Sequence, residues 1–327
     1  MRVLITGGAG FIGSHMSDAL IRQGHQVTIV DDLSTGRMEN FEHLRAMPHF
    51  QFVIESVMNE TVLDRLVSEC DIIYHLAAAV GVELIVNRPV EVIERCVLAT
   101  DVVLRVANRY RKKVVLASTS EIYGKNTQIP FQEESDRILG STTKSRWSYS
   151  CSKAIDEFLA LAYFKESGLP IVIVRLFNTV GPRQTGQYGM VVPRFVEAAV
   201  AGEPITVYGD GEQSRCFGHV SDVVRAIIEL SQLPAAVGEI YNVGNEQEIS
   251  IMGLAERVKE ITGSASDIVK IPYNEAYEAG FEDMTRRVPD LTKVKAAIGY
   301  EPKVQLDEII RQLAGLIRGD SSSAILF

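Results

Sequence analysis

Cysteine is scarce: 327 residues hold four, Cys70, Cys96, Cys151 and Cys216, far apart and without a C-x-x-C pair. A disulfide framework or a thiolate metal site is excluded on that spacing, and reduced thiols are expected. Long hydrophobic runs are missing as well. No stretch approaches the length of a membrane span, and no basic region followed by a long apolar one opens the chain, so a cytoplasmic protein is expected. Positive charge is in deficit, 33 Lys and Arg against 42 Asp and Glu, for a net charge of −9. That balance argues against indiscriminate binding to nucleic acid. An anionic ligand would need a local cluster of arginines to hold it against the overall field. Internal repeats are absent, and low-complexity sequence is confined to the tail GDSSSAILF. With 46% hydrophobic residues, the rest is ordinary globular chain. Its length suits one large domain, or one domain and a smaller lobe.

What is present alternates. RVLIT, QVTIVD, FQFVI, DIIYHLA, KVVLAS and PIVIVRLF are short runs rich in Val and Ile, the signature of buried strands. Between them FIGSHMSDALIRQG, ETVLDRLVSE, VEVIERCVLATDVVLRVANRY and YSCSKAIDEFLALAYFKES carry helical periodicity. This order predicts an α/β fold, a doubly wound parallel sheet of the Rossmann type. Past Asn178 the spacing loosens through GPRQTGQYG and AGEPITVYGDGEQSR. Residues 1–177 are therefore expected to form the dinucleotide-binding domain and 178–327 mostly a substrate lobe, interleaved with late sheet strands.

TGGAGFIG places Gly7, Gly10 and Gly13, with Phe11 and Ile12 between them, directly after the first strand and at the opening of a helix. Glycines there let the backbone turn tightly and approach a pyrophosphate seated on the helix N-terminus. The next strand ends in Asp31, followed by Asp32, where a carboxylate binds the adenosine ribose and repels a 2′-phosphate. NAD is favoured over NADP. In HLAAA, Leu76, Ala77 and Ala78 would keep the backbone open beside a flat ligand, although simple small-residue packing explains them equally well. Ser56 and Val57, in ESVMN after the third strand, occupy the expected adenine position.

Two further features carry chemistry. Tyr149 and Lys153 are four apart in a helical pattern and share one face, so the ammonium is expected to pull the phenol's pKa down from about 10 toward neutrality. Tyr149 is then a general base for a sugar hydroxyl. The run KKVVLASTSEIYG ends a buried strand in Thr119, Ser120 and Glu121, polar residues with no reason to be there unless a ligand needs them.

Taken together, TGGAGFIG, the Asp31 strand end, HLAAA, STSEIYG, YSCSK, RLFNTVGPR, YGDGEQSRCFGHVSD and RRVPDLTKVKAAIGYEP resemble the extended short-chain dehydrogenase/reductase family, in its branch of nucleotide-sugar epimerases, dehydratases and decarboxylases. The resemblance spans essentially the whole chain. It implies that Thr119 hydrogen-bonds the substrate near C4, that Tyr149 removes the O4 proton, that NAD takes the C4 hydride, and that Lys153 binds the nicotinamide ribose. It further implies diphosphate contacts from Asn178, Arg215 and Arg287, with Val191 and Arg194 and then Val207 and Tyr208 holding the nucleoside. Guanidinium forks suit two phosphates in an acidic protein. The sequence departs from the family at ESVMN, in place of a more acidic stretch, and at Cys96, in place of an asparagine.

Three outcomes follow a 4-ketone: epimerisation at C4, loss of water from C6, or loss of CO2 from a C6 carboxylate. The last two resemble each other in a glutamate two residues after the hydroxyl contact, where Glu121 stands. The longer loop reaching Arg146 and Trp147 before Tyr149, and the late Arg287, are similar to UDP-glucuronate decarboxylases. Decarboxylation of UDP-glucuronate is the leading expectation, with 4,6-dehydration and 4-epimerisation as alternatives. Arg146 is expected near the pocket and Trp147, the one tryptophan, in the core. No metal is expected. The two longest helices are more apolar than one sheet face requires, so a homodimer is expected.

Overall fold

Runs of Val and Ile make parallel strands here because both faces of the sheet are covered, leaving no polar face to show. The computed structural model describes residues 1–78, 81–186, 190–276, 282 and 284–320, apart from the side chains of 82, 83, 86, 274 and 276. In chain order the first half supplies β1 (Arg2–Thr6), α1 (Phe11–Arg22), β2 (Gln26–Asp31), β3 (Phe50–Ile54), α2 (Glu60–Glu69), β4 (Ile72–His75), α3 (Val82–Asn87), α4 (Pro89–Tyr110), β5 (Lys113–Thr119), α5 (Ser148–Ser167) and β6 (Ile171–Leu176). The second half supplies β7 (Thr179–Val180), α6 (Val191–Ala201), β8 (Ile205–Tyr208), β9 (Ser214–Cys216), β10 (Gly218–His219), α7 (Val220–Gln232), β11 (Ile240–Val243), β12 (Glu248–Ser250), α8 (Ile251–Thr262), β13 (Ile268–Ile271), α9 (Tyr273–Ala276), β14 (Arg286–Arg287), α10 (Thr292–Ile298) and α11 (Leu306–Arg318).

Seven strands join in the order β3-β2-β1-β4-β5-β6-β11, all parallel, with Ile5 opposite Ile29 on one side and Tyr74 on the other. This is the doubly wound α/β sheet expected from the alternation. Strand pleating divides the core by parity. Val3 and Ile5 pack with Met16 and Leu20 of α1 and with the apolar face of α7. Leu4, between them, points the other way and meets α2, α4 and α5. Chain order reverses between β1 and β4, and a crevice opens at the carboxyl ends of the strands there.

The lobe has its own core, where Phe195 of α6, Val207 of β8, Leu254 of α8 and Ile310 of α11 come together. Its strands form small pairings, β8 with β13 and β9 between β12 and β14. Residues of α7, β11 and α10 pack into the sheet core, so the chain crosses between lobe and sheet more than once. No helix among the described residues is long and apolar enough to cross a membrane.

One buried polar network ties the active helix to the sheet. Arg175 on β6 donates through Nε and Nη2 to the two oxygens of Glu157 on α5, at 2.9 and 2.7 Å. Ser118 on β5 donates to the same carboxylate, and Arg175 Nη1 reaches the Tyr123 hydroxyl at 2.9 Å. Tyr123 in turn donates to Asn242 on β11 at 2.7 Å. Breaking such a pair from one side strands a buried charge, which costs about 3–5 kcal/mol. Glu157→Ala is therefore expected to lower unfolding free energy by about that amount. Chemical denaturation checks this, and a loss below about 1 kcal/mol contradicts it.

Candidate active site

The first turn of the crevice is shaped by what a side chain would collide with. Gly7 has φ +73°, and a Cβ on it would stand 2.8 Å from the Ala77 amide nitrogen. A Cβ on Gly13 would stand 2.3 Å from the Gly7 carbonyl oxygen, so α1 can press against the loop only with glycine there. Opposite, the end of β4 is fixed by polar contacts: Thr6 Oγ1 meets His75 Nδ1 at 2.7 Å and accepts from Ala77 N at 3.3 Å. His75 also meets Thr100 across its other nitrogen at 3.2 Å. Burial, with Lys153 as a lesser cause, pushes His75 down to about 3, so its imidazole is neutral and structural. Ala77 thus holds its backbone against the glycine turn.

Asp31 faces the crevice with its carboxylate already oriented, accepting from Ala9 N at 3.0 Å and Leu33 N at 2.8 Å. Burial raises its pKa, and those two amide hydrogen bonds oppose the shift. Asp32 accepts from Arg95 of α4 at 2.8 Å. Gly10, Phe11, Ile12, Ser56, Val57, Leu76 and Ala78 line the same cleft, of about 510 Å³. A cradle of glycines, an oriented carboxylate at the next strand end and an apolar wall fit a dinucleotide.

Further along, the cleft is floored by the end of β5. The chain leaves the strand in one short turn of 3-10 helix, Ser120–Tyr123, with Thr119 Oγ1 accepting from Glu121 N at 3.2 Å. That turn lifts Glu121 into the cleft instead of into the sheet. Arg146, from the turn that precedes α5, pairs with Glu121 Oε2, and Arg287 of β14 pairs with Oε1 at 2.7 Å. Burial alone would favour the neutral acid, but these two guanidiniums, with Arg215 beyond them, hold Glu121 far below the usual carboxylate range. The ionised carboxylate is thereby favoured over the neutral acid.

Tyr149 lies three residues after Arg146, with the Thr119 side chain close enough to favour its ionised form slightly. Its environment departs from expectation. The phenol is raised well above 10, first by burial and then by Cys96, Glu121 and Asp156, rather than lowered by Lys153. The reason is that Lys153 Nζ is spent on Asp156 at 2.7 Å, and both are buried. Lys153 stands behind Tyr149 and does not line the cleft. Trp147 is buried in a small cluster with Tyr123 and Phe131, as expected of a core residue, and donates to Glu282 at 2.8 Å.

The lobe contributes the far wall. Asn178 accepts from Arg287 Nη1 at 3.3 Å and donates to the Cys216 carbonyl at 3.2 Å. Arg215 donates to the Ser214 carbonyl at 2.7 Å. Val191 opens α6, and Arg194 lies 4.2 Å over the Tyr208 ring while donating to the Thr206 carbonyl. All of these line the cleft. Val207 does not: its side chain is fully buried in the lobe core, because on β8 it points opposite to Tyr208. Only Tyr208 of that pair presents a side chain to the cleft.

Some cleft residues carry no sequence signal. Arg95 donates to Asp32 and to Ser34 at 2.7 Å, joining segments more than sixty positions apart. Tyr273 of α9 reaches the cleft beside Gly209, where a Cβ would stand 2.4 Å from its ring. The Lys153–Asp156 pair does have one, an i, i+3 spacing on a helix.

Comparison with known proteins agrees with this geometry. Over 312 residues the chain is 42% identical to a UDP-N-acetyl-alpha-D-glucosaminuronate decarboxylase of Bacillus cytotoxicus, covering 95% of this chain and 96% of that protein. It is 38% identical over 309 residues to UDP-glucuronic acid decarboxylase 1 of Xenopus tropicalis, covering 94% of this chain and 70% of the other. The crystal structure of a UDP-glucuronic acid 4-epimerase from Bacillus cereus, in complex with UDP-glucuronic acid and NAD, superposes with a TM-score of 0.87 at 27% identity, over 98% and 99% of the two chains. The family described as GDP-mannose 4,6 dehydratase matches residues 4–313. The chain belongs to that family, and with it to the NAD-dependent nucleotide-sugar enzymes of the extended short-chain dehydrogenase/reductases.

Proposed function

We propose that the protein decarboxylates a UDP-linked uronate through a transient 4-ketone. The observation that carries this reading is Glu121, an ionised carboxylate two residues beyond Thr119, held between Arg146 and Arg287. A neutral hexose offers no charge beyond C4 for such groups to meet, whereas a sugar with a C6 carboxylate does. Two of the relatives carry decarboxylase names, and they differ in the group at C2 while sharing the acid at C6.

In this reading Gly7, Gly10, Gly13, Asp31 and the backbone of Leu76–Ala78 hold NAD, which when bound accepts a hydride from C4 and later gives it back. Tyr149 takes the O4 proton while Thr119 holds that oxygen. Lys153 acts from behind, keeping the helix face of Tyr149 in place through its pair with Asp156. The C4 ketone is β to the C6 carboxylate. Breaking the C5–C6 bond releases CO2 and leaves its electron pair in the C5–C4–O4 enolate. C5 then takes a proton from solvent, and Tyr149 finally returns to O4 the proton it removed. Glu121, being ionised, donates none of these protons; it orders the two guanidiniums. Asn178, Arg215 and Arg287 serve the diphosphate, and Val191, Arg194 and Tyr208 the nucleoside.

A second copy of the chain is the proposed partner. Val90 of α4 and Phe158 of α5 are each 67% exposed, with Leu98 and Ile155 half exposed nearby on the same two helices. Pairing these faces across a two-fold axis would cover them.

Incubation with UDP-glucuronate and UDP-N-acetylglucosaminuronate is expected to release CO2 from at least one. A 4-keto-6-deoxy sugar from a neutral UDP-hexose, or a C4-inverted uronate without CO2, would falsify the reading in favour of dehydration or epimerisation. Tyr149→Phe is expected to lower kcat by about 10²–10⁴-fold without loss of NAD or UDP binding. Since the phenol's pKa lies above neutrality in the protein alone, the phenolate is the minor form at pH 7. kcat/KM should then rise with pH across the neutral range, and a flat profile speaks against Tyr149 as the base. Phe158→Glu is expected to yield a monomer by light scattering; an unchanged mass rejects the α4–α5 interface.

A further inference from the structure

We infer that Arg95 is a cofactor-retaining residue: its bonds to Asp32 and Ser34 strap the loop after β2 to α4, at the end of the cleft that takes the adenosine of NAD. The inference concerns the cofactor alone and holds for each of the three outcomes that can follow a 4-ketone. In all three, hydride is taken from C4 and given back within one turnover, so loss of the reduced cofactor in between would leave a stranded ketone.

The loop after β2 is anchored on one side to the glycine turn. Ala9 donates its amide to Asp31 at 3.0 Å, and its carbonyl accepts from Arg37 N at 3.1 Å and Asn40 Nδ2 at 2.8 Å. Asp31 also accepts from Leu33 N at 2.8 Å, and Leu33 takes φ +57°, a left-handed conformation that residues other than glycine rarely adopt. Asp32 makes the next bond, its Oδ1 accepting from Ser34 N at 3.0 Å. The free oxygen of that carboxylate and the Ser34 hydroxyl then meet one donor, Arg95 Nη1, at 2.8 and 2.7 Å. Local geometry of the loop has set both acceptors for it.

Arg95 belongs to the other side. α1 packs on one face of the sheet, while α4 packs on the opposite face with α2 and α5. The contact therefore links a loop tied to the α1 turn with a helix of the far face, beyond the carboxyl end of β2. Asp32, Ser34 and Arg95 line the cleft together with Asp31 and Val57, the residues expected at the ribose and the adenine. A lone ion pair between two mobile surface chains is worth little. Here both side chains are about one-third exposed, 31% and 32%, and Glu91, one turn earlier on α4, holds Arg95 Nε at 3.0 Å. The guanidinium is thus directed from behind while its front bridges two acceptors. Release of a dinucleotide from this end would require the bridge to open.

Release is read without substrate, so the result stands whichever sugar the enzyme takes. The protein is loaded with NADH and mixed with excess NAD, and the fall in NADH fluorescence gives the dissociation rate. Arg95→Gln and Asp32→Asn are each expected to speed release by about fivefold. Because both remove the same bond, the double variant should release no faster than the faster of the two. Arg95→Lys should keep part of the retention, since the charge survives and the planar fork does not. High salt should speed release more in the parent than in Arg95→Gln, because a partly exposed pair is screened. The Kd for UDP, measured by calorimetry, should stay within about twofold throughout, as expected of a distant site. An unchanged release rate in Arg95→Gln overturns the inference. So does an additive double variant, which would give the two residues separate contacts, and so does a UDP affinity that falls in step, which would mean a damaged fold. Arg37→Gln removes another cation of the same loop and completes the test. An equal acceleration there would assign retention to general attraction of the diphosphate and overturn the strap; a smaller one supports it.

Discussion

Glu157 is a buried acid whose two oxygens are both held by Arg175, and nearly every position in the reactive part of the cleft can be traced to that pair. It joins α5, which carries Tyr149 and Lys153, to β6, and through Ser118 to the last residues of β5. One residue beyond Ser118 is Thr119, and two further on is Glu121. The helix that offers the base and the strand end that offers the hydroxyl and the acid are thus pinned to a common point inside the sheet. Such a network stabilises only when every member is satisfied, and here Tyr123 and Asn242 complete it.

Burial acts on two neighbouring groups with opposite results. Glu121 and Tyr149 are both removed from water, which by itself favours the neutral form of each. For Glu121 the guanidiniums win and the charge stays. For Tyr149 burial wins and the proton stays, while Lys153, four residues on, is paired with Asp156. One site therefore holds a favoured anion and a reluctant base, and the difference lies in which charges face each group.

Much of this was legible from the sequence. The glycine turn, Asp31 and the strand alternation follow from local rules, because a turn, a helix start and a buried strand each need particular residues at fixed spacing. Thr119, Glu121 and Tyr149 were readable because they interrupt apolar or helical patterns without a packing reason. What failed was anything decided by partners distant in sequence. Lys153 was expected to tune Tyr149, yet Asp156, visible three residues on, takes its charge. Val207 and Tyr208 were expected to act together, but a strand turns adjacent side chains to opposite faces, and lobe packing decides which one is inside. The bonds of Arg95 to Asp32 and of Arg175 to Glu157 join elements whose neighbourhood is set only once the sheet has formed.

The arginine pair at Glu121 has a consequence for what happens after the bond breaks. On the proposed reaction the ligand arrives with an anionic group at the sugar and departs without it, because CO2 leaves as a neutral molecule and the proton taken up at C5 cancels the charge left behind. The product then offers the guanidiniums around Glu121 no carboxylate on the sugar. Recognition and discharge are then governed by the same atoms. The forward direction is favoured by the ligand's own loss of acidity, and turnover needs no separate device to expel what has been made.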